Sequence, residues 1–208
     1  MSERKPIIYV IDDDASVCRA LALLLKVHGF RVETFTRAAD FLAFKHPKVA
    51  SCVVLDLRLP QMNGFVLQET MAKKAMAIPI IFISGHGDIP KSVKAMRGGA
   101  VDFLPKPFTK KDLLEAIGRA IAKDKLINKE QAEMNKIKRR INTLSPRELE
   151  VFQLVASGML SKQIARKRGT ALQTIKVHRA RVMQKIQAKT VTELIHFAQK
   201  AGLVPSKR

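Results

Sequence analysis

Cysteine is scarce in this chain of 208 residues, and long apolar runs are missing altogether. The two cysteines, Cys18 and Cys52, lie in apolar-rich segments at no metal-binding or redox spacing. A disulfide framework and a cysteine-held metal are therefore not expected, and both thiols read as small core residues in a reducing compartment. No stretch of about 18 or more apolar residues is present, so no membrane-spanning helix and no membrane partner are expected. The opening MSERKPIIYV lacks the charged, greasy and small-residue order of a secretion signal, which gives the expectation of a cytoplasmic protein.

Acidic residues are also few, 18 against 38 lysines and arginines, for a formal charge of +20. Residues 1–123 hold 19 basic and 12 acidic residues, a net +7. Residues 124–143 hold 6 and 3, a net +3, and residues 144–208 hold 13 and 3, a net +10. The most lopsided segment is short, which favours a polyanion as its partner over a merely solvated surface.

The first 123 residues alternate short apolar runs with amphipathic stretches. Strands are expected at 7–11, 31–35, 52–56, 78–83 and 101–105, and helices at about 15–28, 37–44, 64–73, 88–97 and 110–123. Five such alternations imply right-handed crossovers and a doubly wound, five-stranded parallel α/β sheet. From Asp112 to about Ile141 the pattern stays helical, and Met134, Ile137, Ile141 and Leu144 form one apolar seam. That seam is open to two readings, a solvent-bridged helix with some packing or a coiled coil with a second protomer. In LSPRELE, Ser145 suits an N-cap, Pro146 a first helical position and Glu148 the far side of a capping box, so a new all-α domain starts here. The expected division is 1–123, a helical linker over 124–141, and a four-helix domain over 142–208.

In an open parallel sheet, ligands bind outside the carboxyl ends of the strands, where the winding reverses. The first strand ends in VIDDD and the third in VLD, so Asp12, Asp13 and Asp56 are expected to converge, with Asp14 capping the following helix. Clustered carboxylates repel one another by roughly 1 to 4 kcal/mol per pair unless a cation lies among them. All-oxygen ligands favour Mg²⁺. The fourth strand brings Ser84 and the fifth brings Lys106 to the same rim. A divalent ion, an ammonium, a hydroxyl and an aspartate compose a phosphoryl site with Asp56 as nucleophile.

The motifs DDD, LDLRLPQMNG, SGHGD and DFLPKPF together resemble those of response-regulator receiver domains. The resemblance implies that Asp56 accepts phosphate from a sensor histidine kinase. It implies Mg²⁺ (or Mn²⁺) on Asp12, Asp13, Asp56 and the backbone carbonyl of Arg58, Lys106 on the phosphoryl group, and a cis bond from Lys106 to Pro107. Pro60 and Gly64 shape the loop after Asp56, and Ser84 with Phe103 forms the switch, although Phe103 reads equally well as plain core. Phosphatases that use an aspartyl phosphate place a second acid two residues after the nucleophile, and this chain has Arg58 there.

On a helix over 173–186, Ile175, Val182 and Ile186 form a buried stripe. Gln173, Lys176, Val177, Ala180 and Gln184 share the opposite side, flanked by Arg179, Arg181 and Lys185. Such a face suits a DNA major groove, with Lys162, Arg166, Lys167 and Arg168 of the preceding helix against the backbone. SPRE, SKQIA and TIKVHRARVMQK resemble the LuxR/FixJ-type helix-turn-helix, while RGTALQ departs from it near Thr170. The expected DNA contacts are Lys162, Gln163, Thr174, Lys176, Val177, Arg179, Arg181 and Lys185. The whole chain is thus expected to be a two-component transcriptional regulator and not an enzyme. Its implied partners are a sensor histidine kinase, double-stranded promoter DNA and RNA polymerase, with a homodimer on activation. His28, His46, His86, His178 and His196 have no ligand spacing; His178 is expected to be a hydrogen-bonded structural residue and His86 a surface one.

Overall fold

The computed structural model describes residues 5–85 and 89–204. The chain divides into two compact units, Met1–Asn128 and Lys129–Arg208. In the first, β1 (Ile7–Ile11), β2 (Arg31–Phe35), β3 (Ser51–Asp56), β4 (Ile80–Ser84) and β5 (Asp102–Pro105) form one parallel sheet in the order β2-β1-β3-β4-β5. Strands buried on both faces read as continuous apolar runs, and β1 shows why. Ile7, Tyr9 and Ile11 enter one core and Ile8 and Val10 the other, because successive side chains alternate across the sheet.

The core holding Tyr9 is closed by α2 (Ala38–Ala43), α3 (Gly64–Lys73) and α4 (Ile89–Arg97), through Phe41, Leu67, Met71 and Ala95. The other is closed by α1 (Ala15–Val27) and α5 (Lys110–Ile141), through Cys18, Leu21, Leu25, Leu113, Ile117 and Ile121. Both cysteines are buried free thiols, as expected. β4 begins later than the sequence suggests because Pro79 has no N–H to contribute; its carbonyl still accepts from the Val53 N–H at 2.8 Å.

α5 runs without a break past residue 123. Asp124, the first residue of the expected linker, is buried in the first unit. Its Oδ2 accepts from the Ser51 N–H at 2.8 Å and from Asn128 Nδ2 at 2.7 Å, and burial pushes its carboxyl above the usual range.

The second unit contains the last turns of α5 and four short helices: α6 (Pro146–Ala156), α7 (Ser161–Arg168), α8 (Leu172–Ile186) and α9 (Val191–Lys200). The Ser145–Glu148 capping box forms as anticipated, with Pro146 at the start of α6. Val151, Phe152, Ile164, Ile175, Val182, Ile186 and Leu194 meet in one core. Ile141 and Leu144 pack against that core and Ile137 is buried, so most of the apolar seam is engaged within the chain rather than presented to a second protomer. Arg140 reinforces the arrangement by donating to the Ile186 carbonyl and to Gln187.

Candidate functional site

Three strands carry the first candidate site. β1 and β3 lie side by side, Ile11 opposite Leu55, so the residues just beyond them, Asp12 and Asp56, reach the same rim. Both side chains are nearly sealed, at 3% and 9% exposure. Lys106 follows β5, and its Nζ lies 2.9 Å from Asp12 Oδ2 and 2.9 Å from Asp56 Oδ1. The remaining oxygens are held by the chain itself, Asp12 Oδ1 by the Asp14 N–H at 3.0 Å and Asp56 Oδ2 by the Arg58 N–H at 2.6 Å.

The electrostatics follow from this placement. Burial pushes the Asp12 carboxyl above its ordinary range, against the hydrogen bond from Lys106 that draws it down. Burial also works against the Lys106 ammonium, but hydrogen bonds to Asp56 and Asp12 outweigh it and hold its pKa above the usual value. The cation that relieves the repulsion of the acid pair is thus one the chain carries itself.

Three converging carboxylates were expected and two are found together. Asp13 is exposed, and among the described residues no three acid, histidine or cysteine side chains are gathered so as to hold a metal ion. Asp12 already faces inward, and successive side chains leaving a strand diverge. Asp14 caps α1 through the Ser16 N–H at 2.7 Å.

Ser84 ends β4 buried at 1% exposure, and its carbonyl accepts from the Lys106 N–H at 2.8 Å, joining the two rim positions through the backbone. Phe103 pairs with Phe82 across the strands, their ring centroids 6.4 Å apart, and is partly buried against the core. The Lys106–Pro107 bond is cis. Gly64 is required by space: a Cβ there would stand 3.0 Å from both the Asp56 carbonyl oxygen and the Phe82 ring. His86 and most of the SGHGD motif fall on residues 86–88, outside those described.

The second candidate site is the outward side of α8. Lys176, Val177, Arg181 and Thr174 are exposed there, as are Lys162 and Gln163 on α7, while Ile175, Val182 and Ile186 are buried as the periodicity required. Arg179 is partly buried and donates to Ser161 Oγ at 3.2 Å. Gln163 Oε1 accepts from the Leu160 N–H at 2.8 Å and so caps α7.

Two cations expected at the DNA also form ion pairs within the domain. Lys185 Nζ lies 2.6 Å from Glu148 Oε2 and 3.2 Å from the Thr143 carbonyl, and Arg168 pairs with Glu150. Their acidic partners sit on α6, and helix periodicity within α7 or α8 does not reveal a partner on another helix. His178 is half-buried, and its Nδ1 is sealed without a hydrogen-bond partner.

Glu148 links helix start to helix end. The Lys185 ammonium and the Ser145 N–H hold its carboxyl far below the ordinary range, at about 2. A carboxylate with a depressed folded-state pKa contributes stability above its unfolded value, near 4.5, and loses it as the pH falls towards 2. Glu148→Gln should therefore destabilise the second unit at neutral pH. In calorimetric scans the gap between variant and parent should close between about pH 4.5 and pH 2. A gap that stays constant across that window contradicts the ion-pair account.

Comparison with known proteins settles the kind of molecule. The response regulator receiver domain profile matches residues 8–118, and that of the bacterial regulatory proteins of the luxR family matches residues 142–198. The chain belongs to the two-component response regulators with a LuxR-type DNA-binding domain. This regulator is 43% identical over 199 residues to nodulation protein W of Bradyrhizobium diazoefficiens, covering 96% of this chain and 88% of that protein. It is 38% identical over 199 residues to transcriptional regulatory protein FixJ of Rhizobium meliloti, covering 96% and 98%. The solved structure of the response regulator StyR, 41% identical, matches with a TM-score of 0.81 over 94% of this chain and 99% of that one. The family consists of transcription regulators and not of catalytic enzymes; its receiver domain implies a histidine kinase partner and typically uses Mg²⁺, and its helix-turn-helix implies DNA binding. No helix among the described residues is long and apolar enough to cross a membrane.

Proposed function

We propose that Asp56 of this regulator accepts a phosphoryl group from a sensor histidine kinase, and that the aspartyl phosphate promotes dimerisation and promoter binding. The observation that carries the reading is the Lys106 ammonium, 2.9 Å from each of two buried carboxylates at the switch point of the sheet. In the transfer, a carboxylate oxygen of Asp56 forms a bond to phosphorus while the bond from phosphorus to the donor nitrogen breaks. Lys106, held charged by both acids, remains to neutralise a phosphoryl oxygen. The Arg58 N–H orients Asp56 through its other oxygen.

The donor set fits a hard divalent cation, since Mg²⁺ is commonly held by one or two carboxylates together with water and phosphate oxygens. Asp12 and Asp56 supply the carboxylates, and Asp13 and the Arg58 carbonyl, each one or two residues away along the chain, supply further oxygens. Mg²⁺ or Mn²⁺, when bound, adds positive charge to the phosphoryl oxygens.

Ser84 and Phe103 carry the response. A phosphoryl group on Asp56 adds negative charge and acceptor oxygens at the rim that Ser84 shares. β5, which bears Phe103, packs beside α4, whose Ile89, Val93 and Met96 form an exposed apolar stripe at intervals of four and three residues. That stripe supports homodimer formation on activation.

On DNA, Lys176 and Thr174 reach base edges or adjacent phosphates and Val177 offers an apolar contact. Lys162, Gln163, Arg179 and Arg181 face the backbone, while Lys185 remains with Glu148. Duplex affinity is expected to fall steeply with salt, and RNA polymerase is the expected partner at the promoter. The deciding experiment is treatment of Asp56→Asn with labelled acetyl phosphate and Mg²⁺. The variant should fold like the parent and take up no label. Stoichiometric, acid-stable incorporation by the variant removes Asp56 from the role.

A further inference from the structure

A cavity of about 270 Å³ lies in the second unit between α6, the α7–α8 turn and α8. We propose that it seats one phosphodiester of the DNA backbone beside the groove read by α8, an inference that rests on the DNA-binding reading above. The walls used are Arg147, Glu150, Arg168, Thr170, Thr174 and His178.

The charge in this cavity is unbalanced in favour of an anion. Glu150 is its sole acid, and it is engaged: Oε1 pairs with Arg168, and Oε2 lies 3.8 Å from Arg147. Two guanidinium groups against one carboxylate leave one positive charge. Arg147 bears it, since its contact with Glu150 is long and its side chain is 71% exposed.

The neutral groups are arranged as donors. Thr170 and Thr174 are exposed hydroxyls at the cavity wall. His178 is the more informative residue, because its Nδ1 is sealed with no partner. With Nδ1 sealed, Nε2 is the ring nitrogen that can meet a ligand at the cavity wall. Hydroxyls, a guanidinium and an N–H donor are the groups proteins place on DNA phosphates.

Position selects the source of the phosphate. Thr174 and His178 are one turn apart on α8, and Thr174 is separated from Val177, on the groove-facing side, by about 60° of helix rotation. The cavity thus borders the face that carries Lys176 and Val177. Its volume falls below the ~300 to 1,000 Å³ of ordinary small-molecule sites.

The test uses the full chain with acetyl phosphate and Mg²⁺, titrated into a mixed-sequence 20-base-pair duplex at several salt concentrations. Thr174→Val should weaken binding about 5-fold with an unchanged salt slope, because a neutral donor displaces no counterion. Arg147→Ala should weaken it about 5- to 10-fold and reduce the slope by about one unit. His178→Leu should lose about 5-fold, and His178→Gln, which returns an amide donor near the place of Nε2, should recover most of that loss. If Thr174→Val and Arg147→Ala keep the parent's affinity and slope while Lys176→Ala weakens binding, the cavity is only a brace and the groove reading survives. If neither the parent nor Lys176→Ala binds duplex, both readings fail together. Inorganic phosphate alone, followed by ³¹P NMR, supplies a further arm. Binding that Thr174→Val abolishes and saturating duplex does not displace overturns the DNA source in favour of a free anion.

Discussion

Lys106→Met should lower the rate of phosphate incorporation at Asp56 by a factor of about 10² to 10³, the usual loss when one preorganised donor to a developing charge is removed. The ammonium is bound simultaneously to Asp12 and Asp56, and both acids are nearly closed to solvent. Removing it leaves two buried carboxylates facing each other with no internal cation. The same variant should therefore depend more on added metal for stability: Mg²⁺ should raise its melting temperature by more than it raises the parent's. Labelled acetyl phosphate gives the rate, and calorimetry with and without Mg²⁺ gives the second quantity. A variant phosphorylated at the parent's rate contradicts the role assigned to Lys106.

Phe152→Ala should unfold or nearly unfold the second unit and leave the first intact. Phe152 is fully buried in the core that α6 shares with α7, α8 and α9. Truncating a buried phenylalanine costs about 3 to 5 kcal/mol. Small domains bury a lower fraction of their surface, so their net stability lies near the bottom of the 5 to 15 kcal/mol typical of domains. Duplex binding should vanish at 37 °C, while phosphate uptake by Asp56 should persist at the parent rate. The two assays together show whether the units fold separately. Loss of phosphate uptake along with DNA binding contradicts that division.

The receiver pocket was legible because strand ends are. Five apolar runs gave the sheet, the winding rule gave its active rim, and the residue after each run could then be read as rim chemistry. What stayed hidden was how donors and acceptors pair across distant segments. Glu148 was recognised for its capping role, three residues from Ser145, but its bond to Lys185 joins positions 37 apart on different helices. The exposure of Asp13 was hidden for a related reason. Three consecutive acids look like a cluster in sequence, yet Asp12 is buried beside Lys106 while Asp13 is exposed and Asp14 turns to cap α1. On α8, the buried stripe was fixed by helical periodicity alone, but which flanking cations remain available to DNA depends on acids of α6 that no local pattern locates.

The hydrogen bond from the Ser51 amide to Asp124 has a practical meaning for anyone dividing this protein. A fragment that stops at residue 123 loses the acceptor for a buried amide at the start of the strand that bears Asp56, at a cost of about 1 to 3 kcal/mol. One carried through Asn128 keeps both the acid and the amide side chain that steadies it. Melting temperatures of the two fragments should differ accordingly, and the shorter piece would understate how firmly the phosphate-accepting strand is anchored in the whole regulator.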